Sequence, residues 1–224
     1  MVGLELWLKY YSKYFDKIFV WGRGTKPAYT DKLNEFKEKY HMDYEIGSIL
    51  SDPETVVREL REMQTKFFED NQWVCFANVD EFLVTDTDRF KDLTDLMDNY
   101  DGDWIACEAY DVMNLDTEPR LDYSAPILSQ RKYWIRNVNY NKVLLSKVFM
   151  SWNPGLHQID SIDHIKSKDI EGTGLYLVHL KYADIGDKND RDFGPVLSSV
   201  KEYGYVKEGL DKLLIIPEKV KSFL

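Results

Sequence analysis

Trp73-Val-Cys-Phe-Ala-Asn-Val-Asp-Glu-Phe-Leu-Val84 is the stretch of sequence that most constrains the fold. It starts with an unbroken apolar run, residues 73–76, which predicts a central strand buried on both faces of a parallel sheet. The run then gives way to Asp80 and Glu81. Ligands of open α/β sheets bind at the carboxyl ends of the strands, where a carboxylate can hold a divalent cation that bridges to a diphosphate. The alternative is that both acids only solvate the strand end.

Helical and strand-like segments alternate before this stretch. Apolar residues recur at helical spacing in three segments, and short β-favouring runs separate them. The predicted helices are 3–15, 31–40 and one that follows an N-cap within Ser51-Asp-Pro-Glu54, and the predicted strands are 17–21 and 44–46. Such alternation predicts a parallel α/β sheet.

The same kinds of pattern continue after the stretch. We predict a helix over 89–100, a loop over 111–122, and strands over 103–110, 142–149 and 175–180. Residues 185–224 are predicted to form a helical carboxyl-terminal extension that is interrupted at Pro217. Because no internal repeat is visible, we expect residues 1–224 to form a single domain.

Charge and hydropathy exclude two classes of function. The formal net charge of the 224 residues is −10, whereas nucleic-acid binding requires a basic surface. No apolar run is long enough to span a bilayer, and the acidic start Met1-Val-Gly-Leu-Glu5 is unlike a signal peptide. The sequence therefore predicts a soluble, cytoplasmic protein that does not bind nucleic acid.

Several motifs together resemble a known family. Asn78-Val-Asp-Glu-Phe82 resembles the D-x-D-E-F signature of family 2-like glycosyltransferases with the GT-A fold. Further stretches resemble motifs of this family in the same order along the chain. They are Leu4–Tyr11 with Phe15–Val20, Pro126–Trp134 with Tyr140–Lys142, Trp152–His157, and Leu175–Leu180.

The resemblance implies an α/β GT-A-like three-layer fold with a mixed, mostly parallel sheet flanked by helices. Asn78 stands where the family has the first metal-site Asp, so Asp80 becomes the main candidate ligand, and Asn78 is expected beside the donor. The family's first strand has no counterpart before the helix that starts near Met1. We therefore expect an exposed sheet edge, weak donor affinity and a tendency to form a homodimer.

Glycosyl transfer requires positive charge at the leaving diphosphate and, if configuration inverts, a base at the acceptor hydroxyl. Arg131 and Lys142 are candidates for the diphosphate, with surface ion pairing as the alternative. Asp111 follows a predicted strand and is a candidate base. The rival bases are Glu108 and Asp163.

Two histidines are candidates for completing the metal site. Alternate residues of a strand share a face, which would place His179 beside Lys181 at the end of the last strand. An imidazole could then bind the metal while the Lys181 ammonium meets the diphosphate. His157, in Gly155-Leu-His157, is the less favoured candidate because it lacks such a partner.

We expect a glycosyltransferase that uses Mn²⁺ or Mg²⁺ to move a sugar from a nucleotide-diphosphate donor, such as a UDP-sugar, to a glycan or lipid-linked acceptor. The resemblance implies inversion of configuration. Two alternatives stay open at this point: another metal-dependent enzyme acting on nucleotides or phosphates, and a catalytically inactive sugar-binding relative, because the amide of Asn78 brings no charge.

Overall fold

The computed structural model describes residues 2–23, 27–47, 52–69, 71–115, 118–153, 172–181, 183, 213–221 and 223. Four α-helices and nine strands occur in this part of the chain. In chain order they are α1 (Val2–Tyr11), β1 (Ile18–Arg23), α2 (Pro27–Tyr40), β2 (Met42–Gly47), α3 (Pro53–Phe67), β3 (Val74–Cys75), β4 (Glu81–Thr85), α4 (Leu93–Asn99), β5 (Trp104–Met113), β6 (Tyr133–Arg136), β7 (Lys142–Ser146), β8 (Leu175–His179) and β9 (Leu214–Ile215).

The amino-terminal part follows the predicted alternation. β1 and β2 pair in parallel, with α2 as the crossover between them. The predicted start of α3 is confirmed, because Asp52 is its N-cap and accepts a hydrogen bond from the Thr55 N–H at 2.8 Å, while Pro53 occupies the first turn. Within the described residues β1 pairs only with β2, so its other edge faces no strand there.

The central strand is β5, and the prediction that residues 73–76 would be the buried central strand was wrong. β5 pairs with three strands: its first half is antiparallel to β7, and its second half lies between β6 and β8. β3 has only two residues, and both are half-buried. The Phe76 N–H still donates to the Leu144 carbonyl of β7 at 2.8 Å, and the turn beyond it presents Asp80.

The sheet is mixed, but the prediction of a mostly parallel sheet was wrong. Of the seven strand pairings in the described residues, only β1–β2 and β5–β8 are parallel. Parallel neighbours require long crossovers, which are usually helical. The described part of the chain contains no α-helix after α4, so the later strands pair mainly in the antiparallel sense.

The helix α1 fixes β4 from the side opposite β8. The Tyr10 hydroxyl donates to the Leu83 carbonyl. The Tyr11 hydroxyl accepts from the Leu83 N–H at 3.0 Å and donates to the Glu81 carbonyl at 3.1 Å. All five residues of β4 are buried. These hydroxyls satisfy backbone groups that would otherwise lack partners at this edge, so β4 is held rigidly.

The carboxyl-terminal segment is only partly described. Residues 184–212 lie outside the described residues; beyond them β9 pairs with β6, and Glu218–Val220 form a short 3₁₀ helix. The ammonium of Lys219 lies 2.6 Å from the Asp86 carboxylate and fastens this segment to the turn after β4. In the part of the chain that the structure describes, no helix has the length and apolarity needed to cross a membrane.

Candidate functional site

The turn of residues 78–80 carries Asp80 to the surface. The Glu81 N–H donates to the Asn78 carbonyl at 3.0 Å and closes the turn. The Leu180 N–H donates to the Asp80 carbonyl at 2.8 Å and fastens the turn to the end of β8. The side chain of Asp80 remains 25% exposed, so the turn presents a carboxylate that a ligand can reach. Asn78 is exposed beside it.

Glu81 supports the turn from inside the protein. Its Oε2 accepts from the Asn78 N–H at 3.0 Å, so this carboxylate binds backbone within the turn. Its Oε1 lies 2.6 Å from the Lys142 ammonium, which is itself only 3% exposed. Lys142 was predicted to bind a diphosphate, but its charge is used here to neutralise a buried carboxylate.

Strand register brings three titratable side chains into one row. Glu81 of β4 lies opposite His179 of β8, and His179 lies opposite Asp111 of β5. Residues that lie directly opposite each other project from the same face of a sheet. The sheet therefore aligns residues that are distant in sequence, and His179 stands in this row between the positions of Glu81 and Asp111.

His179 contacts two carboxylates. Its Nδ1 lies 2.7 Å from Asp111 Oδ1, and its Nε2 lies 3.2 Å from Asp80 Oδ2. Burial alone would lower the pKa of His179, but hydrogen bonds to Asp111 and Asp80 outweigh burial and raise the pKa to about 9. For Asp80 the directions are reversed: burial alone would raise its pKa, but the hydrogen bond to His179 outweighs burial and lowers the pKa below its usual value. With a pKa of about 9, His179 is expected to be protonated at neutral pH, where it lies between the side chains of Asp111 and Asp80.

A loop between β6 and β7 completes this arrangement; sequence reasoning assigned no role to Asn137, and Tyr140 entered only as part of the stretch Tyr140–Lys142 that resembles the family. The amide nitrogen of Asn137 donates to Asp111 Oδ2 at 2.7 Å. The ring of Tyr140 stacks on the His179 ring, with centroids 4.8 Å apart and planes at 28°. Nothing in the local pattern marks Asn137, because a polar residue between two strands is typical of any turn.

The other candidate bases are not part of this row. Glu108 lies three residues before Asp111 on β5, so its side chain projects from the opposite face, and its carboxylate is 2.6 Å from Arg136 Nε. Asp163 and His157 lie outside the described residues. Asp111 itself is buried and engaged by both His179 and Asn137.

The two remaining basic candidates differ in accessibility. Arg131 is 2% exposed, and its guanidinium donates to the carbonyls of Ala183 and, at 2.9 Å, Gln130. It therefore anchors the chain that follows β8. Lys181 is half-buried in a turn beyond β8, next to Leu180, whose N–H binds Asp80. Because the strand ends at His179, strand alternation does not set the direction of Lys181.

Of the residues predicted to bind a metal, Asp80 and His179 lie in the described residues and approach each other, with 3.2 Å between Asp80 Oδ2 and His179 Nε2. Among the described residues, no group of three or more His, Cys, Asp or Glu side chains is arranged to hold a metal ion. The described residues would therefore offer a cation at most Asp80 and His179 at this position. Two protein ligands suit Mg²⁺ or Mn²⁺ in a nucleotide enzyme, where water and substrate phosphates supply most of the ligands.

The chain matches no model of a known protein family, no curated protein and no solved structure.

Proposed function

We propose that this chain is a metal-dependent, GT-A-like glycosyltransferase of the family 2-like type. It would transfer a sugar from a nucleotide-diphosphate donor, such as a UDP-sugar, to a glycan or lipid-linked acceptor, with inversion. The observation that carries the proposal is the pairing of Asp80 and His179 at an accessible turn, with His179 held from behind by Asp111.

The spacing of the two ligand atoms supports a shared cation. When an octahedral ion binds its ligand atoms at about 2.1 Å, two adjacent ligand atoms lie about 3.0 Å from each other. Asp80 Oδ2 and His179 Nε2 are 3.2 Å apart, so a cation could bind both with only a small adjustment. The imidazole ligand favours Mn²⁺ over Mg²⁺, because Mg²⁺ takes oxygen ligands almost exclusively.

The charges around the site support a cation as well. The leaving diphosphate must be neutralised, but Lys142 is paired with Glu81, and Arg131 is buried against backbone carbonyls. Among the described groups joined by these contacts, and with His179 neutral, the three carboxylates of Asp80, Glu81 and Asp111 outnumber the ammonium of Lys142 by two. A divalent cation matches this excess of negative charge.

Each residue then has a defined role. With a cation in place, Asp111 would accept the Nδ1–H of His179, which leaves the Nε2 lone pair for the cation, and this hydrogen bond raises ligand basicity. Glu81 and Lys142 hold the turn that carries Asp80. The bound cation would neutralise the diphosphate. We assign Asp111 to orienting His179 and not to deprotonating the acceptor, because both of its oxygens already accept hydrogen bonds.

The test is thermal unfolding with a panel of nucleotides and nucleotide sugars, with and without Mn²⁺. A ligand present at about 100 times its Kd stabilises a folded protein by about 2.7 kcal/mol. UDP and Mn²⁺ together should raise the Tm of the protein, and Asp80→Asn should remove most of the rise. Asp98→Asn is the matched control, because Asp98 is exposed on α4 and does not belong to the turn of residues 78–80.

The same panel separates the alternatives. A metal-dependent shift with nucleotides or inorganic diphosphate, but no sugar transfer to any glycan or lipid acceptor, would favour another phosphate enzyme. A shift with free sugars that does not depend on Mn²⁺ would favour an inactive sugar-binding relative. If Asp80→Asn keeps the full Mn²⁺-dependent shift, the proposed metal ligand is wrong.

A further inference from the structure

The loop of residues 137–141, between β6 and β7, is fastened to the backbone of β5. The Asn137 N–H donates to the Ala109 carbonyl at 2.9 Å. The Ala109 N–H donates to the side-chain oxygen of Asn141, also at 2.9 Å. Both ends of the loop are thus attached to one residue, two positions before Asp111. The loop has a fixed location relative to the His179–Asp111 pair.

We infer that Asn137 is a positioning residue of the candidate metal site, which controls cation affinity through Asp111 and His179. This inference rests on the proposed function. The chain of contacts is continuous: Asn137 Nδ2 to Asp111 Oδ2 is 2.7 Å, Asp111 Oδ1 to His179 Nδ1 is 2.7 Å, and His179 Nε2 faces Asp80.

The physical reason lies in the rotation of the Asp111 carboxylate. A carboxylate that is held by one hydrogen bond can rotate about its terminal torsion, which has a broad minimum. Asn137 holds the second oxygen, so Oδ1 stays in line with the imidazole. Hydrogen bonds to an ionised acceptor are shorter and stronger than hydrogen bonds between neutral groups. A buried carboxylate oxygen without a hydrogen-bond donor would lower the stability of the fold.

Tyr140 restricts the same imidazole from its face. Its ring stacks on His179, so the loop controls the ring plane through Tyr140 and the in-plane orientation through Asn137 and Asp111. A ligand whose ring is fixed in both ways loses little conformational freedom when a cation binds. The loop should therefore increase affinity without itself touching the cation.

The test measures Mn²⁺ affinity by electron paramagnetic resonance in wild type and in two variants. The first is Asn137→Asp. The second, the exchanged pair, carries both Asp111→Asn and Asn137→Asp, so that the amide and the carboxylate change places. The single variant replaces the amide donor with a carboxylate that repels Asp111, and we expect Mn²⁺ to bind about 10-fold more weakly. The exchanged pair restores an amide–carboxylate hydrogen bond, and the new amide oxygen can still accept from His179. It should recover most of the affinity. Val138→Ala is the matched control, because Val138 lies in the same loop and is 60% exposed.

A second readout is independent of metal. In the metal-free protein, the Nδ1 proton of His179 should give a downfield hydrogen-bonded NMR signal that Asn137→Asp shifts or removes and the exchanged pair restores. If wild type binds Mn²⁺ and Asn137→Asp binds it equally tightly with the signal unchanged, the inference is overturned. If wild type binds no Mn²⁺, the proposed cofactor is wrong and the inference about affinity falls with it. The NMR signal then shows only whether Asn137 orients His179.

Discussion

Asp80 Oδ2 lies 3.2 Å from His179 Nε2, although 99 positions separate the two residues in the sequence. The contact joins an exposed turn to the end of a buried strand. Asp111 holds the other nitrogen of the imidazole at 2.7 Å. The position of His179 between two carboxylates leads to opposite pH dependences for folding and for cation binding.

The first prediction concerns the stability of the metal-free protein. The pKa of His179 is raised from 6.5 to about 9 on folding. The stability that protonated His179 adds to the folded state is therefore fully present below about pH 6.5 and is lost as pH rises through about 9. At 1.36 kcal/mol per pKa unit, this contribution is on the order of 3 kcal/mol. Urea unfolding across this pH range should show the decline in the free energy of unfolding, and His179→Gln should lack most of it. An equal decline in both proteins would contradict the assignment to His179.

The second prediction concerns Mn²⁺ affinity, which should change with pH in the opposite direction. A cation can bind Nε2 only after that nitrogen loses its proton. Below the pKa of about 9, affinity should therefore rise about 10-fold for each pH unit. Electron paramagnetic resonance titrations at several pH values measure this slope. An affinity that does not vary with pH would show that His179 is not a ligand.

The third prediction concerns the buried pair of Glu81 and Lys142. Lys142→Met would leave Glu81 buried without its partner, and the loss of one partner of a buried ion pair costs about 3–5 kcal/mol. Adding Glu81→Gln should recover part of this loss, because no uncompensated charge remains. Chemical denaturation measures both variants. The control is Lys37→Met, which breaks the solvent-exposed pair with Asp43 and should have little effect. Equal losses at the two sites would contradict the buried-pair account.

The fourth prediction concerns the Tyr11 hydroxyl. Tyr11→Phe removes the acceptor for the Leu83 N–H and the donor to the Glu81 carbonyl. Because these backbone groups are buried, the protein should lose about 1–3 kcal/mol of stability. Tyr44→Phe is the control, because the Tyr44 hydroxyl binds Asn34 at the surface. A loss no larger than that of the control would mean that water replaces the hydroxyl at β4.

Some features of the fold could be predicted from the sequence because they depend on neighbouring residues. The N-cap at Asp52 and the helix after it follow from a side chain that binds a backbone N–H three residues later. The short parallel pair of β1 and β2 follows from a strand, helix, strand order. The carboxylate of Asp80 in an accessible turn follows from an acidic residue at the end of an apolar run.

The sequence alone determined the early helices and the end of the apolar run at Asp80 and Glu81, and it supplied the acidic and imidazole groups. Only the tertiary structure decided that β5 is central, that Lys142 neutralises Glu81, and that Asn137 reaches Asp111. Caps and periodicity act over a few residues, so they can be read locally. Strand partners depend on packing between distant segments, and a shift of register by one residue would turn His179 away from Asp111.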